Sequence, residues 1–380
     1  MIFTKEEKKI EGVIVTQKAG VDREYKGIKI QNALPFLEQN RECSVLIAAS
    51  AVFQEEITQI VSKYAQDYHY ITEELFFDMG RKLDVPYKGV DFIVGGFMKC
   101  GTTSLYKALA GIDGIFLSDQ KESQFFSWCD KVENRKKRLT EKYLNNIREG
   151  QAVGMIDPSF MYYAEGVYDF FGDNVKLIFL VRNPADALFS KFKMDNRNGD
   201  ADLGQFYQKT GTFYVEMFDE YFMGDHSRET YEYVKWIEKF EKYYPKEQIK
   251  IIFFEELIKS PQMVIQDMLE FINVSCKYQH DDFPLVNEGN FVMADAAGYK
   301  LAKLRFELKH EIRYSDYESE QEKNERQVKY SEITREYNNA KKISGLKMTD
   351  EQRNMLEKYY FDSVRGLEKM VDKDLSELWF

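Results

Sequence analysis

The chain has 380 residues, 44% hydrophobic and 15% aromatic, enough to bury one large core or two smaller ones and too apolar for a disordered protein. A net charge of −11 excludes a general nucleic-acid binder, which needs a broad basic face. Cys43, Cys100, Cys129 and Cys276 form no CxxC pair, so the expectation is a reduced, cytoplasmic protein with neither a disulfide framework nor a metal site.

The start, "MIFTKEEKKIEG", is too charged for a signal peptide, and no apolar run approaches the roughly 18 residues that cross a bilayer, so no stable membrane insertion is expected. Residues 1–86 read as a small α/β unit: "GVIVT", "SVLIAAS" and "YHYIT" have strand character, and "FQEEITQIVSKYAQ" has helical spacing. "LDVPYKG", residues 83–89, is the candidate linker. A second series, 87–380, begins with the strand "VDFIVGG", a helix from Thr103 and the strands "AVGMID" and "VKLIFLV". A helix from Pro184 and the strand "IKIIFFEEL" follow. Apolar strands alternating with helices predict an α/β fold, a mainly parallel central sheet flanked by helices. After about residue 295 the chain becomes highly charged, and "DYESEQEKNERQVKYSEITREYNNAKK" reads as a solvated helix or mobile segment. The last 35 residues have helical spacing and are expected to pack on the sheet, completing a helical C-terminal region. No internal repeat is present.

Two stretches carry chemistry. In "FIVGGFMKCGTTSLYKAL" (92–109), Gly96 and Gly101 stand five apart as in the nucleotide-binding pattern G-x-x-x-x-G-K-[ST], but the lysine lies before the second glycine, at Lys99. A strand entering a glycine turn and then a helix aims backbone N–H groups at an anion, and Lys99 adds a full charge. The hydroxyls of Thr102, Thr103 and Ser104 can donate to the same oxygens. A plain capped helix after a glycine turn fits these residues too. In "VKLIFLVRNPADALFSKFK" (175–193), Arg182 ends a strand, Asn183 can cap the next helix, and Pro184 fits its first turn. Ser190 follows eight residues on, about two helical turns, where its hydroxyl can share an anion with the guanidinium. The alternative is a strand-terminal Arg paired with a surface carboxylate.

Together, "GGFMKCGTTSL" and "VRNPADALFS" resemble the 5′-phosphosulfate loop and 3′-phosphate motif of the sulfotransferase superfamily that uses 3′-phosphoadenosine 5′-phosphosulfate (PAPS). "SDQKESQFFSW" resembles the K-E-x-x-F-F segment of heparan-type and bacterial carbohydrate sulfotransferases. The likeness covers roughly residues 88–275, with a fainter one in "LEKYY...VRGLEKM...LSELW". It implies a P-loop-like α/β fold. It also implies that Lys99, Cys100, Gly101, Thr102, Thr103 and Ser104 hold the 5′ end of PAPS, that Arg182 and Ser190 hold its 3′-phosphate, and that Glu122, beside Lys121, is the general base. Sulfuryl transfer goes in line through a loose transition state, so positioning and charge stabilisation supply most of the rate. The transferred group is monoanionic, so Mg²⁺ is not required in principle.

"GMIDPSFMYY" departs from the family's E-K-[ST]-P-x-Y pattern: Ile156 stands where many relatives carry Lys, and Asp157 where they carry Ser or Thr. Asp157 at a strand end also keeps an ATP-dependent small-molecule kinase open, and a catalytically inactive glycan-binding protein on the same scaffold is a third reading. A carbohydrate acceptor is expected, as the resemblance implies. "FMYYAEGVYDFF" (160–171) and "FYVEMFDEYF" (213–222) are either core or sugar-stacking platforms. Lys131, Arg135, Lys136, Lys137, Arg138 and Lys142 are either a cleft wall for an anionic glycan or a solvated helix face. "VLIAAS...EEITQIV" loosely resembles modules beside enzymes that build bacterial surface polysaccharides. The sequence does not speak to oligomeric state.

Overall fold

A computed structural model of the chain describes residues 13–15, 24–25, 28–41, 44–47, 57–70, 89–118, 120–123, 125–127, 136–224, 226–279, 283–286, 290–314 and 319–379. Packing divides these into two units, one formed by the described parts of 1–86 and 126–137, the other by those of 87–125 and 138–380.

In the first unit, β1 (Val13–Val15) pairs parallel with β3 (Ile28–Asn32), and β2 (Glu24–Tyr25) pairs antiparallel with β3. Helix α1 (Ala33–Gln39) begins where the Asn32 side chain accepts the N–H of Leu34. β4 (Ser44–Ile47) and β5 (Asp67–Tyr70) form a parallel pair, and residues 57–61 are helical between them. Ala33, Leu37 and Val61 make its small core. β3 and α1 were not read from the sequence; the candidate linker lies outside the described residues apart from Gly89.

The second unit is built on a five-stranded, all-parallel sheet in the order β10-β9-β6-β8-β7. β6 is Phe92–Gly96, β7 Ile115–Leu117, β8 Ala152–Ile156, β9 Lys176–Val181 and β10 Ile249–Phe253. Every residue of β6 and all but the first of β9 are buried, because helices cover both faces of such a sheet. β7 is a fifth strand that the sequence reading lacked. The predicted strand "IKIIFFEEL" is corrected: it stops at Phe253, and Phe254–Lys259 is helical, with Glu255 and Glu256 in a first turn that favours negative charge.

From β6 the chain runs through α2 (Thr102–Leu109) toward the β7 edge. From β9 it runs through α3 (Pro184–Asn198) and later elements toward the β10 edge. Because β6 and β9 are neighbours and their outgoing connections diverge, a crevice opens between their carboxyl ends. In open α/β sheets such a point is where ligands are expected to bind.

Phe160, Phe170, Phe171, Phe218, Tyr221 and Phe222 are buried and belong to the core, whereas Tyr162, Tyr163, Tyr168, Phe213 and Tyr214 of the same two clusters are only partly buried. Residues Glu320–Asn339 form the solvated helix that their charge predicted. The C-terminal helix α4 (Asp350–Val371), started by a Thr349–Gln352 capping box, packs on α3 and on the helix Tyr233–Glu241 rather than on the sheet. Only the tail beyond it reaches the sheet end: the Trp379 ring packs on Phe253 and Tyr233. No helix among the described residues is long and apolar enough to cross a membrane.

Candidate active site

The loop leaving β6 is shaped by two left-handed residues, Lys99 (φ 64°) and Gly101 (φ 95°). Gly101 begins α2, and no side chain caps that end, so the first-turn N–H groups face outward from the loop. Gly101 has a second reason to be glycine: a Cβ there would stand 2.4 Å from the Phe254 ring. That ring also lies under the Arg182 guanidinium, 4.9 Å from its centroid. Phe254 thus sets the spacing between the two stretches singled out in the sequence.

They meet directly. Arg182 Nη1 donates to the Lys99 carbonyl at 3.3 Å. The Lys99 ammonium crosses to α3, where it lies 3.7 Å from Met194 Sδ. Tyr233 locks the arrangement from behind: its hydroxyl donates to the Arg182 carbonyl (2.7 Å), accepts the Arg182 N–H (3.3 Å) and touches Cys100 Sγ (3.5 Å). Asn183 caps α3 as expected, its side-chain oxygen accepting from Ala185 and Asp186, while its amide donates to the Trp379 carbonyl at 2.6 Å. Its own N–H goes to Glu255.

The remaining candidates fall in different places. Thr102 is buried, and its hydroxyl accepts from Lys121 Nζ at 3.2 Å; the same ammonium pairs with Glu122 at 2.6 Å. Glu122 is therefore tethered to the start of α2 through Lys121, with its side chain 44% exposed and able to meet a substrate. Thr103 is exposed in the first helical turn. Ser104 is turned away, its hydroxyl accepting the Val286 N–H at 3.1 Å. The Cys100 side chain points into the core and its N–H closes the turn onto the Phe97 carbonyl. Burial pushes the Cys100 thiol up to about 12, outweighing the opposing Tyr233 hydrogen bond, so it stays protonated. Ser190 is half-buried on α3, one turn before Met194.

Asp157 is buried and its carboxylate is consumed structurally. Oδ2 accepts from Ser123 Oγ (3.0 Å), and Oδ1 accepts from the N–H and hydroxyl of Ser159 (3.1 and 2.6 Å). It caps the short helix Pro158–Tyr162 and ties the segment after Glu122 to the end of β8. In the basic run, Lys131 and Arg135 lie outside the described residues, and the remainder divides between the two units. Among the described residues, no group of His, Cys, Asp and Glu could hold a metal ion.

Tyr233 and Phe254 were missed in the sequence, where each reads as one more apolar residue of its own segment. Only the fold brings them to the loop.

The chain matches the sulfotransferase domain family model over residues 90–373, a wider span than the motifs alone covered. No curated protein matches it. Among solved structures, it is similar to a sulfotransferase from Alicyclobacillus acidocaldarius at 19% identity, covering 78% of this chain and 99% of that one, with a TM-score of 0.47. A mouse sulfotransferase solved with PAP is similar at 11% identity, over 74% of this chain and 86% of that one, with a TM-score of 0.35.

Proposed function

The chain belongs to the sulfotransferase domain family, and on that premise we propose that it transfers a sulfuryl group from PAPS to a hydroxyl of a carbohydrate, a surface polysaccharide or its precursor. The observation that supports this reading is the bond from the Arg182 guanidinium to the Lys99 carbonyl, which brings the two stretches together at the carboxyl ends of β6 and β9. Family membership sets aside the kinase alternative, and so does the commitment of Asp157 to Ser123 and Ser159.

The residues present fit the donor. An uncapped helix N-terminus and the Lys99 ammonium suit the 5′ end, while Arg182 and Ser190 suit the 3′-phosphate. Bound there, PAPS supplies a sulfuryl group already joined to a phosphate leaving group. Lys99 and the first-turn N–H groups of α2 stabilise negative charge growing on the departing oxygen. Glu122, steadied by Lys121, takes the proton of the attacking hydroxyl at a carboxylate oxygen. Lys121 bonds Thr102 as well, so base and loop hold one geometry, as in-line attack requires.

Purified protein incubated with PAPS and glycans from cells lacking this chain is expected to yield a sulfated glycan by mass spectrometry. Glu122→Gln is expected to lower the yield rate about 10²–10⁴-fold with the affinity for adenosine 3′,5′-bisphosphate unchanged. Absence of any sulfated glycan would sink the carbohydrate acceptor; full activity of the variant would sink the base.

A further inference from the structure

α3 presents more than Ser190 to the crevice. Lys193 follows Ser190 by three residues and Met194 by four, so all three lie along one side of the helix, the side that Lys99 reaches. Lys193 is half-buried. Burial first, and the nearby Arg182 charge second, hold its ammonium below the usual lysine range, with Arg197 adding to the repulsion and Asp186 opposing it. Asp186 itself is engaged by Arg353 at 2.8 Å.

The contacts made by these cations are to neutral groups. Lys193 Nζ donates to the Asn290 side-chain oxygen at 2.8 Å and stands over the Phe189 ring at 4.9 Å. Arg182 donates to a carbonyl and covers the Phe254 ring. Two like charges thus stand near enough to repel, partly out of water, on the side of the helix that carries Ser190. Asn196, fully buried one turn beyond Lys193, accepts the Met293 N–H at 2.7 Å and donates to Tyr207 at 2.8 Å, docking the segment after Asn290 along α3. Such an arrangement gains most when an anion with several oxygens sits between the charges.

We propose that Lys193, oriented by Asn290, is a third ligand of the donor's 3′-phosphate, completing with Arg182 and Ser190 a site that selects 3′-phosphorylated adenosine nucleotides over those lacking that group. The assignment rests on the donor reading above. It makes Lys193 a specificity residue: it adds nothing for a nucleotide whose 3′ position is a free hydroxyl.

The test is calorimetric titration of adenosine 3′,5′-bisphosphate and of adenosine 5′-monophosphate into the full chain and its variants. Wild type is expected to prefer the bisphosphate. Lys193→Met is expected to weaken bisphosphate binding about tenfold, the value of one charge-assisted hydrogen bond, and to leave the monophosphate unchanged. Lys193→Arg, which keeps the charge, is expected to retain most of the preference. Two results overturn the assignment: Lys193→Met with wild-type bisphosphate affinity, or Lys193→Met weakening both nucleotides alike, as loss of a purely structural tie to Asn290 would. A wild-type chain that does not distinguish the two nucleotides would instead remove the donor reading itself.

Discussion

Lys99→Ala is expected to lower the rate of sulfated-product formation about 10²–10³-fold, the range seen when one preorganised stabiliser of a developing oxyanion is removed. Lys99 carries the only full charge inside the loop between Gly96 and Gly101, and its left-handed backbone turns the side chain toward α3 rather than along β6. A residue other than glycine or asparagine held in that conformation costs on the order of 1 kcal/mol, and the surrounding contacts of Phe97, Cys100 and Arg182 hold it there. Because the variant keeps the Lys99 carbonyl, Arg182 keeps its acceptor, so binding of adenosine 3′,5′-bisphosphate should weaken much less than turnover. Single-turnover kinetics with PAPS beside calorimetry on the bisphosphate separates the two. Undiminished turnover would remove Lys99 from the chemistry, and equal losses in binding and turnover would make it a ground-state ligand only.

Gly101→Ala carries the largest expected effect on stability. Two costs add: φ of 95° is poorly accessible to alanine, at roughly 1–2 kcal/mol, and its Cβ would overlap the Phe254 ring, where overpacking costs about 1–3 kcal/mol. The sum, about 3 kcal/mol, corresponds to a fall in Tm of roughly 6–12 °C for a unit of this size. The damage is not confined to folding. Phe254 cannot yield without leaving the Arg182 guanidinium that rests on it, so the surviving folded protein should also bind adenosine 3′,5′-bisphosphate several-fold more weakly. Thermal unfolding followed by titration on the folded fraction checks both, and a variant with unchanged Tm would show that the loop is not packed as described.

The site was legible where chemistry is written locally. Gly96, Lys99 and Gly101 declare a turn with a charge in it, and "VRNP" declares a strand end, a cap and a helix start within four residues, all of which the structure has. What was not legible is whatever depends on distant chain. Nothing in "YVKWIEKFE" distinguishes Tyr233, which clamps Arg182 and Cys100, from Trp236 or Phe240, which are also buried. Phe254 was read as strand because an apolar run looks alike whether it extends or turns into a helix, and only the acidic pair after it marks the change. Ser104 looked equivalent to Thr102 and Thr103, yet helix geometry points it elsewhere, to Val286. Lys193 could have been found by spacing alone, since it stands at i+3 from Ser190 on a helix whose start was already placed.

The most direct test of the whole account is calorimetric comparison of adenosine 3′,5′-bisphosphate with ADP on the unmodified protein. A crevice in which Lys99 and the start of α2 take one end of the nucleotide and Arg182 with Ser190 the other should bind the bisphosphate at least tenfold more tightly, whereas equal affinity or a preference for ADP would contradict it.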